Sequence, residues 1–339
     1  MEPLAALERV ADLLEAGLAS PYKAQAFRRA ADAIRGRSTT ELRHLADQGR
    51  LRALPGVGSS TGSVIEAALT GAIPEYLARL EAQAAPDAGA GAPIHQALRG
   101  DLHTHSDWSD GGATIEQMAR AAASLGHEYV ALTDHSPSLG VARGLSAERL
   151  DEQLDVVARL NEELTPFRIL TGCEVDILED GSLDHSDDVL ARLDVVVASV
   201  HSKLRMPEGP MTDRMVAAIA NPHTDVLGHC TGRKVVGRGR PESTFDAELV
   251  FGACAHFDAA LEVNCRPERL DPPANLLDLA AQMEVKIAID TDAHAIGQLA
   301  WQPGGCARVA DAGIGAERVV NTWPADDLVA WARTGAPAS

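Results

Sequence analysis

Short apolar runs alternate with amphipathic stretches through most of this 339-residue chain, and this pattern limits the fold most strongly. Runs such as 194–200 and 285–290 have the length and the Val and Ile content of buried strands, whereas 146–164 has helical periodicity. Such alternation predicts parallel strands joined by crossover helices. Seven or so units favour a closed or nearly closed barrel over an open sheet. The candidate strands are 128–132, 167–171, 194–200, 224–228, 259–264, 285–290 and 317–321.

Histidine and carboxylate residues stand where the predicted strands end. His103 and His105 close a strand-like segment two residues apart, a spacing that puts both imidazoles on one face. A lone histidine at a strand end is more often a packing or capping residue than a ligand. Nine such groups at successive strand ends, which meet at one mouth of a parallel barrel, predict a metal site. The predicted ligands are His103, His105, Asp110, His135, Glu174, His201, His229, Asp292 and His294.

The ligand types also suggest the metal and the chemistry. Imidazole and carboxylate ligands without thiolates suit Zn²⁺, Mn²⁺ or Fe²⁺ in a hydrolytic site. Cys173 and Cys230 neighbour predicted ligands, but strand alternation turns them away, so we interpret them as packing residues. The predicted catalytic residues are His103, His105, Glu174, Asp292 and His294.

Three sections are visible along the chain. Residues 1–84 have the apolar spacing of short helices, and Ser20-Pro21 is typical of a helix start. Residues 85–97 are rich in Ala, Gly and Pro and are predicted to be a linker. Residues 98–339 contain the predicted barrel.

Charge is distributed unevenly. The net charge of −19 belongs entirely to residues 100–339, because residues 1–99 carry 11 basic and 11 acidic side chains. Within the first section, residues 22–52 hold eight Lys or Arg against three Asp or Glu. An acidic body repels a polyanion, so we expect any nucleic-acid contact to begin on this basic stretch. The alternative is a solvated helix face.

Cysteine usage and hydropathy predict a cytoplasmic protein. The five cysteines are odd in number, widely spaced and never in a CxxC pair, which argues against a disulfide framework. Glu2 and Glu8 precede any Lys or Arg, unlike the start of a signal peptide. No apolar run approaches the roughly 18 residues of a membrane-spanning helix, so we expect no membrane association.

The motifs DLHTHS, TDHS, GCEVDI, SVHS, GHCTGR and DTDAH occur in this order between residues 101 and 294. Together they resemble the polymerase and histidinol phosphatase (PHP) family, and most closely the PHP domain of bacterial family X DNA polymerases. The resemblance implies a distorted, seven-stranded (βα)₇ TIM-like barrel with three divalent metal ions. It also implies a ligand partition. The first metal would take His103, His105, Glu174 and Asp292, the second Glu174, His201 and His229, and the third Asp110, His135 and His294.

The N-terminal section resembles the small all-α helix-hairpin-helix domain of family X polymerases. SPYKAQAFRRAADAI (20–34) matches its basic helix and LPGVGSSTGSVIEAALTG (54–71) its hairpin. The glycines allow a tight turn before a helix N-terminus that can hold a DNA phosphate, although a purely structural hairpin is the alternative. No Lys occurs between residues 24 and 202, so we expect no Schiff-base lyase activity, and no palm domain fits between hairpin and barrel. The predicted DNA-binding residues are Lys23, Arg28, Arg29, Gly56 and Gly58.

These features predict a metal-dependent phosphoesterase, and three hypotheses about its function remain open. The first is a 3′–5′ exonuclease or 3′-phosphatase guided to DNA ends by the N-terminal section. The second is a small-molecule phosphomonoesterase of the histidinol-phosphatase type, and the third a non-catalytic DNA-binding metalloprotein. Basic residues just after ligands or strand ends could hold the phosphate, or could be surface and ion-pair residues. They are Arg143, Lys203, Arg233 and Arg266.

Overall fold

The computed structural model describes residues 1–84 and 88–334 and divides into two compact units. One unit contains residues 1–84 with 296–298, and the other contains 88–295 with 299–334. Residues 85–87, where the predicted linker begins, and 335–339, at the end of the predicted barrel, lie outside the described residues. Among the helices described, none is both long and apolar enough to cross a membrane.

The first unit is helical over its described residues. The second helix begins at Pro21, with Ser20 in the preceding cap position. Leu7, Phe27 and Ile65 are buried in one apolar core, because the helices repeat apolar residues every three or four positions. The helices are α1 (Pro3–Ala16), α2 (Pro21–Ile34), α3 (Thr39–Asp47), α4 (Ser59–Leu69) and α5 (Glu75–Glu81).

Part of the predicted linker is folded. Residues 92–97 form a short helix, α6 (Ala92–Ala97), which packs against a later helix, α13 (Gln302–Asp311), within the second unit. Ile94 is buried there, and an added Cβ at Gly91 would lie 2.3 Å from the backbone of Cys306. The small residues that suggested a linker thus permit close packing.

The second unit is a seven-stranded parallel barrel over its described residues, with the strands in sequence order from β1 to β7. The strands are β1 (Gly100–Thr104), β2 (Tyr129–Leu132), β3 (Arg168–Asp176), β4 (Val195–Ser199), β5 (Val226–Leu227), β6 (Ala260–Asn264) and β7 (Ile287–Asp290). The remaining helices are α7 (Ile115–Ser124), α8 (Ala147–Leu164), α9 (Asp187–Leu190), α10 (Glu208–Ile219), α11 (Ala247–His256), α12 (Ala274–Gln282) and α14 (Ala325–Thr334). This architecture confirms the predicted fold class.

The interior of the barrel changes from apolar to charged along some of its strands. Leu170, Ala260 and Ala288 share one buried apolar cluster near the amino ends of their strands. Because side chains alternate along a strand, the interior positions that follow on β3 and β6 include Glu174 and Glu262. The chain therefore stabilises the barrel at one end and places its chemistry at the carboxyl ends of the strands.

The seam between β1 and β7 is closed mainly by side chains. In the described part of the chain, the backbones on the two sides of the seam pair near the mouth, where His105 N donates to Ala293 O at 2.9 Å. Deeper in the barrel, Ile289 N donates to the Asn321 side chain at 2.7 Å, and that amide donates to Gly100 O and Ile289 O at 3.3 and 3.2 Å. Leu102 N donates to an Asp290 carboxylate oxygen at 2.8 Å. These side chains satisfy backbone groups that a neighbouring strand would otherwise pair.

The prediction of a strand at 317–321 was wrong. This segment contains two 3₁₀ turns, Ala316–Arg318 and Val320–Thr322, and makes a single bridge between Val319 and Ile287. Its apolar character has another cause, because Val320 is buried at the apolar end of the barrel. Asn321 meets the sheet through its side chain instead of its backbone, and β1 completes the count of seven strands.

We predict that Asn321→Ala destabilises the chain by about 2–4 kcal/mol, because the buried Ile289 amide loses its acceptor and the buried Asp290 carboxylate loses a donor. The free energy of unfolding would be measured by urea denaturation. Asn275→Ala, on the exposed face of α12, is the matched control and should change it by less than about 0.5 kcal/mol. Equal stability of the two variants would contradict the role given to Asn321.

Candidate metal centre

The nine predicted ligands converge at the carboxyl end of the barrel. His103 belongs to β1 and Glu174 to β3, whereas the other ligands lie in the loops that follow the strands. Most of the side chains are buried, and the Asp110 side chain is the most exposed of the ion-paired group at 35%. The six imidazole rings form a continuous cluster in which neighbouring ring centroids lie 4.1 to 6.1 Å apart.

Glu174 is the centre of this cluster. Its Oε2 lies 2.9 Å from His135 Nδ1 and 3.2 Å from His103 Nε2, and its Oε1 lies 2.9 and 3.2 Å from the Nε2 atoms of His229 and His201. Burial alone would raise the pKa of this carboxyl, but the surrounding imidazoles hold the pKa well below its usual range. Glu174 therefore stays ionised inside the barrel.

A second group of ligand atoms lies around Asp110. Its Oδ1 is 3.3 Å from His294 Nε2 and 3.5 Å from His135 Nε2, and the His105 ring lies 4.1 Å from the ring of His294. Burial raises the pKa of Asp110, but the nearby imidazoles outweigh it and keep the pKa below the ordinary value. Three sets of side chains bring their ligand atoms within 4.8 Å of one another. They are His105, Asp110, His135 and His294; His103, His105 and Glu174; and His135, Glu174 and His201.

Asp292 is held in an unusual backbone conformation. Its φ of 52° lies in the left-handed region, which few residues other than glycine adopt. Arg266 Nη1 donates to Asp292 O at 2.8 Å and Arg269 Nε donates to its Oδ2 at 3.1 Å. The other carboxylate oxygen, Oδ1, lies 3.4 Å from His105 Nε2. Burial alone would raise the pKa of Asp292, but nearby positive charge, above all that of the two arginines, outweighs burial and holds the pKa well below its ordinary value. The carboxylate is therefore ionised, and its Oδ1 faces the cluster.

The donor atoms fit a metal cluster. Several buried imidazole nitrogens make no well-aligned hydrogen bond among the described residues. His105 Nδ1 and His229 Nδ1 have no partner there, and His103 Nε2 and His135 Nδ1 have only the Glu174 carboxylate beside them, at 3.2 and 2.9 Å. An unpaired buried nitrogen is costly unless something coordinates it. Neutral imidazole and carboxylate groups at this spacing are the donor set of hydrolytic zinc, manganese and iron sites.

The sequence analysis missed two carboxylates, Glu262 and Asp176, that hold ligand histidines from behind. Glu262 Oε1 accepts from His103 Nδ1 at 2.6 Å, and its other oxygen accepts from His229 N. Asp176 pairs with His201 Nδ1 in the same way. Such partners fix the tautomer and the ring orientation of a metal-binding histidine. One signal was available, since a carboxylate inside an apolar strand such as ALEVN needs a buried partner.

Asp134 orders the loop that carries Asp110. Its carboxylate accepts from Ser106 N at 2.8 Å, from the Ser106 and Ser109 hydroxyls, and from Gln153 Nε2 at 2.6 Å. Burial raises the pKa of Asp134, while these hydrogen bonds oppose the shift. Asp134 thus orders the loop after β1, which carries the ligand Asp110.

The four predicted phosphate-binding residues differ in their surroundings. Arg143 donates to the carbonyls of Asp107 and Ser109, and Arg233 donates to those of Arg269 and Leu270, so both guanidinium groups hold loops together. Lys203 is 62% exposed and pairs with Glu179 at 3.3 Å. Arg266 lies against the Asp292 carbonyl and 2.9 Å from His294 Nδ1.

Arg269 is a further arginine that the sequence analysis missed. Its Nη1 is buried without a hydrogen-bond partner in the part of the chain that is described, while its Nε holds Asp292. Its charge also lowers the pKa of His229, after the larger effect of burial. Arg269 therefore adds fixed positive charge at the edge of the cluster. No spacing rule distinguished it from the neighbouring arginines.

Three of the predicted DNA-binding residues, Lys23, Gly56 and Gly58, line a cavity of about 940 Å³ in the helical unit. Lys23 is exposed on its wall, and Gly56, with φ of 84°, and Gly58 form the turn before α4. Gly58 N donates to Thr61 Oγ1 at 2.8 Å, so this amide is paired within the first turn of α4.

The two arginines of this set differ. Arg29 is exposed, and its Nη1 donates to Gln25 Oε1 at 3.3 Å. Arg28 is turned inward, where its Nη2 lies 2.6 Å from both Asp12 Oδ1 and Glu15 Oε2. Its charge is neutralised there, so Arg28 is a poor candidate for a DNA contact.

Comparison with known proteins matches both units to families. The family model for the PHP domain matches residues 101–266, and the one for the helix-hairpin-helix domain matches residues 1–72. The DNA polymerase/3′-5′ exonuclease PolX of Bacillus subtilis (strain 168) is 45% identical over 202 residues, which are 60% of this chain and 35% of that protein. The chain thus spans little more than a third of this relative.

A protein named probable phosphatase from Thermoanaerobacter sp. (strain X514) is 31% identical over 234 residues, which are 66% of this chain and 89% of that protein. A solved structure of histidinol phosphate phosphatase from Lactococcus lactis, complexed with zinc, L-histidinol and phosphate, has a TM-score of 0.48 at 17% identity. That match covers 64% of this chain and 95% of the other.

We predict that Glu262→Gln weakens metal binding by about 10- to 100-fold, because the amide no longer fixes the His103 ring through a charged hydrogen bond. Metal affinity would be measured by competition with a chelating dye. Glu248→Gln, on the first turn of α11, removes the same charge from an exposed site and should leave affinity unchanged. Unaltered affinity in Glu262→Gln would show that the ring is held by its packing alone.

Proposed function

This chain belongs to the PHP family of metal-dependent phosphoesterases, and we propose that it hydrolyses phosphate esters at DNA ends, as a 3′–5′ exonuclease or a 3′-phosphatase. The observation that carries the proposal is the presence, in one chain, of the imidazole cluster around Glu174 and a helix-hairpin-helix unit with exposed basic side chains. The named activity of the Bacillus relative includes 3′–5′ exonuclease, which supports the choice of substrate.

We propose that three divalent ions of Zn, Mn or Fe occupy the cluster. The unpaired imidazole nitrogens and the three ionised carboxylates favour bound cations over an empty polar cavity. The proposed partition is that implied by the family. His103, His105, Glu174 and Asp292 would hold the first ion, Glu174, His201 and His229 the second, and Asp110, His135 and His294 the third. The approach of His105 to within 4.1 Å of the His294 ring also fits a ligand shared with the third ion.

The side chains of this protein would position the ions and the substrate and exclude water. When bound, the ions supply Lewis-acid activation of water and of the phosphate ester. Glu174 spans the cluster with both oxygens, while Glu262 holds the Nδ1 proton of His103 so that Nε2 faces the interior. Burial of these groups excludes bulk water, which strengthens every electrostatic interaction with the substrate.

The phosphate is proposed to bind beside Asp292. The guanidinium groups of Arg266 and Arg269 are held there by their hydrogen bonds to Asp292. Arg269 Nη1 makes no hydrogen bond among the described residues. Guanidinium groups match phosphate oxygens in geometry and charge. Arg143 and Arg233 are assigned to loop structure because backbone carbonyls take up their donors.

A small phosphomonoester is the second candidate substrate. The net charge of −19, which falls on residues 100–339, opposes the approach of long DNA. The name of the Thermoanaerobacter relative, probable phosphatase, is also consistent with such a substrate. In this case the helical unit would have another role.

We predict that the purified chain with Mn²⁺ degrades end-labelled single-stranded DNA or removes the phosphate from a 3′-phosphorylated oligonucleotide, and that a chelator abolishes the activity. His103→Ala should reduce the rate by about 10³-fold or more, because the loss of a ligand disrupts several kcal/mol of charge stabilisation. His256→Ala, at the exposed end of α11, is the control. Turnover of histidinol phosphate alone would establish the second candidate instead.

We predict that Lys23→Glu weakens the binding of single-stranded DNA about tenfold at low salt and flattens its salt dependence, because it replaces a phosphate contact by repulsion. Fluorescence anisotropy of a labelled oligonucleotide would measure both effects. Arg9→Glu makes the same charge change on α1, where Arg9 is exposed, pairs with Glu81 and is not among the cavity residues. Equal losses in both variants would mean that only net charge matters.

A further inference from the structure

A short hairpin, residues 233–240, follows β5 and is here called the basic hairpin. It begins four residues after His229, at the carboxyl end of the barrel strands. Lys234 and Arg240 pair as an antiparallel bridge, with reciprocal N to O distances of 2.9 and 2.8 Å. Gly237 and Gly239 have φ of 71° and 64°, which lets the chain reverse between them. The hairpin is therefore a defined structure rather than an open loop.

The base of the basic hairpin is hydrogen-bonded to the loop after β6, which lies beside the candidate metal centre. Val235 N donates to Glu268 O at 2.7 Å, and Arg233 Nε donates to Arg269 O at 2.9 Å. Both acceptors belong to the loop after β6, whose Arg269 side chain holds the ligand Asp292. The hairpin thus emerges beside the proposed phosphate site and is anchored to the same loop.

The exposed side chains of the basic hairpin combine two kinds of chemistry. Val235 and Val236 are 51% and 55% exposed, and the side chains of Lys234 and Arg238 are also exposed. Residues 232–241 contain four basic residues and no acidic one, although residues 100–339 carry the whole net charge of −19. Glu242 pairs with Arg233 at 3.1 Å, so the free positive charge of the hairpin is mainly that of Lys234 and Arg238. Exposed valines beside these two charges are unusual on an acidic unit and indicate a surface that meets an anionic partner with apolar parts.

We propose that the basic hairpin binds the single-stranded DNA that leads to the ester being hydrolysed. Lys234 and Arg238 would contact backbone phosphates, and Val235 and Val236 would pack against unstacked bases. Single-stranded DNA fits this surface because it presents phosphate charge and apolar base faces side by side. A small phosphomonoester would be too short to use both. This inference rests on the proposed function and names the part of the barrel that would recognise a polynucleotide.

Site-specific crosslinking tests the contact directly. All five native cysteines are buried, so Val236→Cys supplies an accessible thiol for a maleimide benzophenone. The full-length protein would be irradiated with labelled oligothymidylate. Leu125→Cys is the matched control, because Leu125 is 52% exposed but follows α7 at the opposite end of the barrel. We expect at least about fivefold more crosslinked DNA at position 236 than at 125.

Competition identifies the partner class. Unlabelled oligothymidylate should suppress the crosslink at position 236, whereas inorganic phosphate should not. Equal crosslinking at both positions, or none at either, would overturn the proposal. Suppression by polyglutamate as effective as that by DNA would also overturn it, since the hairpin would then recognise an acidic polypeptide.

Kinetics separate this inference from the proposed function. In Lys234→Ser with Arg238→Ser, the kcat/KM for single-stranded DNA relative to that for an aryl phosphate should fall about tenfold. A plot of the logarithm of kcat/KM for single-stranded DNA against the logarithm of salt concentration should have a slope shallower by about 1.4, because two phosphate contacts are lost. An unchanged ratio with intact DNA hydrolysis would refute the hairpin and leave the proposed function standing. If DNA crosslinks to the hairpin but the protein never hydrolyses DNA, the proposed function would be refuted and the hairpin contact would stand.

Discussion

The ionised Glu174 carboxylate is the group around which the mouth of the barrel is arranged. Four imidazole nitrogens lie 2.9 to 3.2 Å from its two oxygens, and they come from the ends of four different strands. A charge buried this deeply would be costly without such partners. Conversely, the imidazoles would lack a common centre without the charge. Bound cations, as proposed, would complete the balance, and His229 Nδ1, on one of these rings, has no hydrogen-bond partner among the described residues.

The barrel fold supports this centre by separating its two ends. The interior is apolar near the amino ends of several strands, whereas the buried histidines and carboxylates of the cluster lie at the carboxyl ends. At the seam between β1 and β7, buried carboxyl groups lie next to the apolar interior. Asp101 and Asp290 lie there as neighbouring buried carboxyls, and burial raises the pKa of Asp101 to about 6. Backbone amides and the Thr291 hydroxyl donate to them, so the distortion of the barrel is stabilised by hydrogen bonds.

The sequence predicted what depends on spacing and could not predict what depends on competition between partners. Alternation of strands and helices determined the parallel barrel, and the position of each His and carboxylate after an apolar run gave the candidate ligands. The segment 317–321 has the composition of a strand, but its Asn321 side chain takes the place of backbone pairing. Arg28 matches a basic helix, yet Asp12 and Glu15, from an earlier helix, draw it inward. Such choices among partners are made in three dimensions.

Electrostatics is compatible with the proposed action of an acidic barrel on a polyanion. The ligand set contributes three carboxylate charges and six imidazoles, so three divalent ions, if bound as proposed, would make the mouth positive while the surrounding surface stays negative. A negative surface repels DNA everywhere except where local positive charge outweighs it, which favours approach at the mouth. The basic hairpin extends that positive region beyond the ions, on a backbone anchored to the loop that holds Asp292. Specificity for a chain of phosphates, rather than for a single one, would then come from the hairpin, because the ions alone interact with only the phosphate being hydrolysed.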